Sequence, residues 1–307
     1  MRPGLARQLV EFGRTIRFSH TLFALPFALG AALLAEPPCP DAWSLALLVA
    51  CMATARTAAM GMNRVADAAL DARNPRTADR AIPAGRLSRG VALGLALASG
   101  AAFVGLAWLF VPLRGNVWPG LLAPAFLGVL VGYSWTKRFT ILTHWVLGLA
   151  LGLAPVGAWL AIRGGVSAVA VLIGAAVLFW TAGFDILYAC QDAEVDRRDG
   201  LHSIPARLGL RAARWIALAT HAATVALLAA AILCDRRPAG EAGLGPASGM
   251  ALDVIALVLI IHHWRMRRAD ADRIAAAFFP VNAAVSIIWL GGVIVDVVRG
   301  PGGNLLF

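Results

Sequence analysis

The sequence predicts an all-α membrane protein, a single domain over residues 1–307, and three observations carry that prediction. Apolar residues make up 60% of the chain and charged residues only 14%, with a mean hydropathy of +0.75; soluble domains run nearer about 45–50% apolar and about 25% charged. The apolar residues gather into nine stretches near the roughly 20 residues that a helix needs to span a bilayer. Most of the 27 basic residues fall in alternate loops, as the positive-inside rule expects of a polytopic protein.

In chain order the nine expected transmembrane helices lie near 18–35, 42–62, 90–111, 117–134, 141–162, 167–189, 211–233, 248–264 and 274–298. The first follows a basic segment (Arg2, Arg7, Arg14, Arg17) that imitates a signal peptide. No small-x-small cleavage site precedes Glu36 and eight more stretches follow, so it is read as an uncleaved span. One side receives four basic residues before the first span, six after the second, two after the fourth, five after the sixth and four after the eighth, 21 in all. The other side receives five (Arg114, Arg163, Arg236, Arg237, Arg299), and Arg56 lies inside a span. That split puts the N-terminus in the cytoplasm and the C-terminus outside. Tryptophans near most span ends fit an aromatic belt.

The same pattern answers the +10 net charge. The basic residues follow loop alternation and form no nucleic-acid-binding face, so no nucleic-acid partner is expected; the expected partner is the lipid bilayer. Cys39, Cys51, Cys190 and Cys234 are scattered, with no CxxC pair, and imply neither a disulfide framework nor a zinc site. His262 and His263, beside Trp264, are read as interfacial residues.

Two cytoplasmic loops carry the chemistry. NRVADAALDARNPRTADRAIPAGRLSR follows the second span and YACQDAEVDRRDGLHSIPARLGLR follows the sixth. Each has Asp-x-x-x-Asp at a helix exit, then a basic stretch and Ile-Pro-Ala, a weak internal repeat that suggests two facing half-sites. Asn63, Asp67 and Asp71 recur every four residues; Asp185, Tyr188, Asp192 and Asp196 recur at three, four and four, so each set shares one helix face. Like charges four apart destabilise a helix, and carboxylates at the hydrocarbon boundary are costly. A divalent cation offsets both effects. Oxygen-only ligands favour Mg²⁺, which takes one or two carboxylates plus substrate phosphate oxygens. Arg76, Arg80, Lys137, Arg138 and Arg197 are the cations placed to pair with phosphate.

Arg56 lies two turns from Asn63 on the same face. It serves either as an internal partner for a carboxylate such as Asp185 or as a receptor for an acidic group on a substrate, which would suit an aromatic carboxylate. The competing class is a transporter that uses intramembrane Asp and Arg as an ion or proton path. Against it, the carboxylates cluster at helix ends among arginines. No Gly/Pro-interrupted pair occupies matching positions of two halves, although Pro26 and Pro155 lie inside spans.

These motifs, with RFSHTLFALPFALGAALLA at the first span and YSWTKRFT after the fourth, resemble the UbiA superfamily of intramembrane prenyltransferases across nearly the whole chain. The resemblance implies a UbiA-like bundle and Mg²⁺-dependent transfer of a polyprenyl group from a polyprenyl diphosphate to an aromatic acceptor. It assigns Asp67, Asp71, Asp192 and Asp196 to the metal, and these four with Tyr188 to catalysis. Asn63, Asp185, Lys137 and the loop arginines fall to substrate binding. It matches Arg56 to an arginine that faces the acceptor's carboxylate. Arg64 stands where many members have Asp, which leaves one carboxylate fewer. The Asn-Arg variant with FDILYACQD and GLHSIPARLG is most similar to bacterial quinone-pathway members, including the futalosine-route menaquinone enzyme. The implied acceptor is 4-hydroxybenzoate or a dihydroxynaphthoate, in ubiquinone or menaquinone biosynthesis. The implied location is the inner (plasma) membrane, multi-pass, with the site facing the cytoplasm.

Overall fold

A chain crossing a bilayer as separate segments must satisfy every backbone N–H and C=O within each segment, which helices do. The computed structural model describes residues 4–16, 21–235, 237, 242–267 and 271–299, and its regular structure within that range is helical. Arg2, Arg17, Arg236 and Arg268 of the charge count, residues 18–20 of the first expected span, and everything beyond Arg299 lie outside the described residues.

Helix α1 (Leu5–Thr15) is amphipathic and buries Gln8 and Phe12. Phe12 packs on Val65, Ala81, Leu87 and Ala92, and Gln8 Oε1 accepts from the Ser88 amide at 2.9 Å. By sequence this segment is only a run of basic residues; the structure makes it a helix braced against the first motif loop. Helix α2 (Leu25–Ala35) has only 11 residues, shorter than the expected 18–35 span. Pro26 explains the late start: without an N–H and with φ fixed, proline belongs in a helix's first turn.

Among the described residues, eight helical stretches are long and apolar enough to span a membrane. They are α3 (Ala42–Arg73), α4 (Arg89–Trp108) continued by the short α5 (Phe110–Arg114), α6 (Trp118–Thr136), α7 (Thr143–Arg163) and α8 (Ala168–Ala189). After α8, a 3₁₀ turn (Cys190–Asp192) leads to α9 (Ala193–Arg198), followed by α10 (Ile204–Cys234), α11 (Pro246–Met266) and α12 (Ala271–Arg299). At 1.5 Å per residue α3 is about 48 Å long, against about 30 Å of hydrocarbon. Its last turns, which carry the first motif, therefore project past the apolar layer. Gly209, at φ 81° and ψ 165°, breaks α10 after one turn, a conformation in which a Cβ would be strained.

Small residues set the tightest helix contact. A Cβ on Gly148 of α7 would lie 2.3 Å from the Leu178 carbonyl oxygen of α8, and one on Gly152 would lie 2.4 Å from that of Gly174. Such close backbone approach is how helices gain packing energy in lipid. Phe27, Trp180 and Trp289 fill the centre of the bundle. Trp180 and Trp289 are thus core residues, whereas Trp43, Trp118, Trp215 and Trp264 are exposed as a belt would place them. His262 is buried as well, and His263 Nε2 meets His221 Nδ1 of α10 at 2.8 Å, so these histidines join helices and are not simple interfacial residues.

At the end of the bundle opposite the motifs, arginines cap the short α2. Arg163 donates to Ala35 O at 3.0 Å and Arg237 to Leu34 O at 2.8 Å, satisfying carbonyls that have no partner within α2. Arg114 joins Glu36, Asp41 and Ser44 there. The Asp41 carboxyl, which caps α3, is held down to about 2 by hydrogen bonds from Ser44 and Arg114.

Candidate active site

The four-residue period of the first motif holds, because α3 runs unbroken to Arg73. Asn63 Nδ2 donates to Asp67 Oδ2 at 3.0 Å. Arg138 donates to Asp67 Oδ1 at 3.1 Å and to Ala66 O at 2.8 Å, and Arg80 donates to Asp71 Oδ1 at 2.7 Å. Asp67 and Asp71 are both 7% exposed. Asp71 Oδ2 is buried and receives no hydrogen bond; Arg64 Nη1 stands 3.8 Å away.

The second motif departs from the regular helix that its spacing suggested. Helix α8 ends at Ala189, and the 3₁₀ turn tightens the chain before α9. Asp185, Asp192 and Asp196 line the cavity, but Tyr188 does not. At about 100° per residue, three positions turn Tyr188 some 60° away from Asp185. Its ring packs on Phe278, centroids 4.4 Å apart, and its hydroxyl accepts from Arg76 Nη1 at 3.2 Å.

The two motifs meet across more than 110 residues of chain. Arg76 grips Asp192 with Nε at 2.9 Å from Oδ1 and Nη2 at 2.5 Å from Oδ2, and Asn74 Nδ2 donates to Oδ1 at 2.9 Å. Burial works against the Arg76 charge, but the Asp192 carboxylate outweighs it and holds the guanidinium above its ordinary value. Arg198 also reaches Arg73 O at 2.9 Å.

Between the motifs opens a cavity of about 450 Å³. Its mouth carries Asp67, Asp71, Asp192 and Asp196 beside Arg64, Arg76, Arg80 and Lys137. Its inner wall is apolar, with Phe103, Phe110, Leu122, Phe126 and Leu151 among its residues. Arg56 lines it too, roughly 10 Å along α3 from Asn63. Of the residues expected at the site, Arg138 does not line the cavity but donates to Asp67 and to Ser134 O, which do, and Arg197 turns away to donate to Ala206 O at 3.3 Å. Asn74, Tyr133 and His144, none of which the sequence motifs single out, also line the cavity. Asn74 sits directly after the first motif and could have been found there; His144 carries no local signal.

The donor set suits a hard cation. It is oxygen-rich, and the buried Asp71 Oδ2 with no donor is a cost that a cation would remove. Among the described residues no three His, Cys, Asp or Glu converge closely enough to form a complete protein cage.

Comparison with known proteins gives the relationships. The UbiA prenyltransferase family profile matches residues 24–287. The 4-hydroxybenzoate solanesyltransferase of Synechocystis sp. is 35% identical over 169 residues, covering 54% of each chain, so the match spans about half of that relative's length. The protoheme IX farnesyltransferase of Granulibacter bethesdensis is 31% identical over 254 residues, covering 80% of this chain and 76% of that one. A solved UbiA homologue from Aeropyrum pernix K1, in its apo form, is 35% identical with a TM-score of 0.79, covering 91% of this chain and 98% of that one. A UbiA homologue from Archaeoglobus fulgidus solved with GPP and Mg²⁺ shares the fold at 20% identity, with a TM-score of 0.66 and coverage of 92% and 99%.

Proposed function

Because this chain belongs to the UbiA prenyltransferase family, we propose that it transfers a polyprenyl group from an isoprenyl diphosphate to an aromatic carboxylate, 4-hydroxybenzoate or a dihydroxynaphthoate, in quinone biosynthesis. The observation that carries this reading is one continuous cavity with a charged mouth and an apolar interior. An isoprenyl diphosphate has the same division.

Asp67, Asp71, Asp192 and Asp196 are the residues that would hold Mg²⁺. When bound, Mg²⁺ neutralises negative charge on the diphosphate as the allylic C–O bond breaks. Arg76 and Arg80, which pair with Asp192 and Asp71, carry the planar guanidiniums that would fork onto the oxygens of a bound diphosphate. Lys137 adds a compact charge at the same mouth. Breaking the C–O bond leaves an allylic cation, whose C1 accepts an electron pair from the acceptor ring; the ring then loses a proton. The apolar walls exclude water that would quench the cation. Arg56 receives the acceptor's carboxylate.

The basic-residue split supports a multi-pass protein of the inner membrane with this mouth on the cytoplasmic side. A second acceptor is favoured by one observation: the relative named protoheme IX farnesyltransferase aligns over 80% of the chain, against 54% for the 4-hydroxybenzoate solanesyltransferase. The test offers labelled isoprenyl diphosphate and Mg²⁺ with 4-hydroxybenzoate, a dihydroxynaphthoate and protoheme in separate reactions. Prenylated aromatic carboxylate is the expected product; prenylated protoheme alone would replace this reading with the second.

A further inference from the structure

Resting on the reading of the cavity as the prenyl-transfer site, we propose that His144 is a positioning residue. It holds the Asp185 carboxylate with one oxygen turned into the cavity, and that oxygen takes the hydroxyl hydrogen of the aromatic acceptor. His144, one residue into α7, is 2% exposed. Its Nδ1 lies 2.6 Å from Asp185 Oδ2 on α8, and its Nε2 lies 3.2 Å from the amide nitrogen of Ile204.

The backbone amide decides the ring's tautomer. A backbone N–H can only donate, so Nε2 must present its lone pair, and the neutral imidazole carries its hydrogen on Nδ1. That hydrogen then points at Asp185 Oδ2, a charge-assisted bond that fixes the carboxylate's rotation. Ile204 is itself held in place. It opens α10, where its N–H has no helical partner, and two residues earlier the His202 amide donates to Lys137 O at 2.8 Å. His144 thus ties the loop after the second motif to a carboxylate within the cavity.

Among the described residues none donates to Asp185 Oδ1, and the Asp185 side chain keeps 27% of its surface exposed where it lines the cavity. A carboxylate oxygen held there is a strong acceptor for a phenolic hydroxyl. Holding the hydroxyl at Asp185 and the carboxylate at Arg56 would fix the ring at two points, which sets the carbon presented to the prenyl C1.

The experiment compares the wild type, His144→Ala, Asp185→Asn and the double variant in bilayers, with isoprenyl diphosphate, Mg²⁺ and 4-hydroxybenzoate. Each single variant is expected to lower acceptor kcat/KM by roughly 10- to 100-fold. The loss should fall on the acceptor: acceptor kcat/KM should drop far more than KM for the diphosphate or its slow acceptor-independent hydrolysis to the prenyl alcohol changes. The double variant should be no worse than the poorer single, and His144→Gln, whose amide offers both N–H donors and an oxygen acceptor, should recover part of the loss. Additive losses, or equal losses of transfer and hydrolysis, overturn the proposal. Wild-type protein that transfers to no acceptor defeats the functional reading instead. The ring is then examined directly by ¹⁵N NMR of the wild type, with His144→Gln identifying the signal: hydrogen on Nδ1 is expected, and hydrogen on Nε2 overturns the assignment.

Discussion

Arg76 and Asp192, 116 residues apart in the chain, form a two-pronged ion pair, Nε to Oδ1 at 2.9 Å and Nη2 to Oδ2 at 2.5 Å, that closes the second motif onto the loop after the first. Only a planar guanidinium fits both oxygens at once; an ammonium offers a point charge. Arg76→Lys should therefore keep the charge and lose the fork. Hydrogen bonds to charged groups are worth about 1.5–3 kcal/mol, so kcat/KM for the diphosphate should fall roughly 10- to 150-fold. Steady-state kinetics in which the lysine variant matches the wild type would remove Arg76 from the site.

Asp71 carries the buried oxygen without a donor. Asp71→Asn removes its charge while nearly preserving its shape. Turnover at saturating diphosphate should drop by roughly 100-fold or more, the scale of losing several kcal/mol of metal stabilisation, and the Mg²⁺ concentration for half-activity should rise. Chelation of the wild type should abolish turnover, and added Mg²⁺ should restore it. An unchanged Mg²⁺ titration for the variant would contradict the assignment.

Arg56 lies roughly 10 Å along α3 from the first motif's Asn63, so its substitution tests acceptor binding apart from diphosphate binding. Arg56→Leu should raise KM for 4-hydroxybenzoate by 10-fold or more, on the order of one lost charge-assisted bond, with KM for the diphosphate unchanged. A phenol lacking the carboxylate should react equally slowly with both proteins. A variant that loses both substrates together would make Arg56 a structural residue.

Gly148 tests the scaffold apart from the chemistry. A Cβ there meets the Leu178 carbonyl at 2.3 Å, so Gly148→Ala must push α7 and α8 apart. Overpacking of this kind costs about 1–3 kcal/mol. Thermal unfolding in detergent should show a clear drop in Tm, and an unchanged Tm would mean that the contact is not tight.

How much was legible follows from how local each signal is. Eight of the nine expected spans, the two motifs and the all-α class were readable because hydropathy and a four-residue period are properties of contiguous sequence. Helix α1 was not, since 11 residues with basic side chains resemble any basic leader until Phe12 finds Val65 and Leu87. The first span was overextended because hydropathy does not register that Pro26 starts the helix late. Arg197 resembled its neighbouring arginines in sequence, yet α9 turns it towards Ala206 O. His144 could not be found at all: its partners lie 41 and 60 residues away and meet it only after α7 packs on α8 and α10 begins.

The most direct test of the central claim is prenyl transfer by the purified protein in lipid bilayers, with labelled isoprenyl diphosphate, Mg²⁺ and 4-hydroxybenzoate or a dihydroxynaphthoate, followed by mass analysis of the product. The account predicts a prenylated aromatic carboxylate that disappears on chelation and in Asp67→Ala and Asp192→Ala. Full turnover by either variant, or substrate-independent ion flux across the bilayer with no prenylated product from any acceptor, would contradict it.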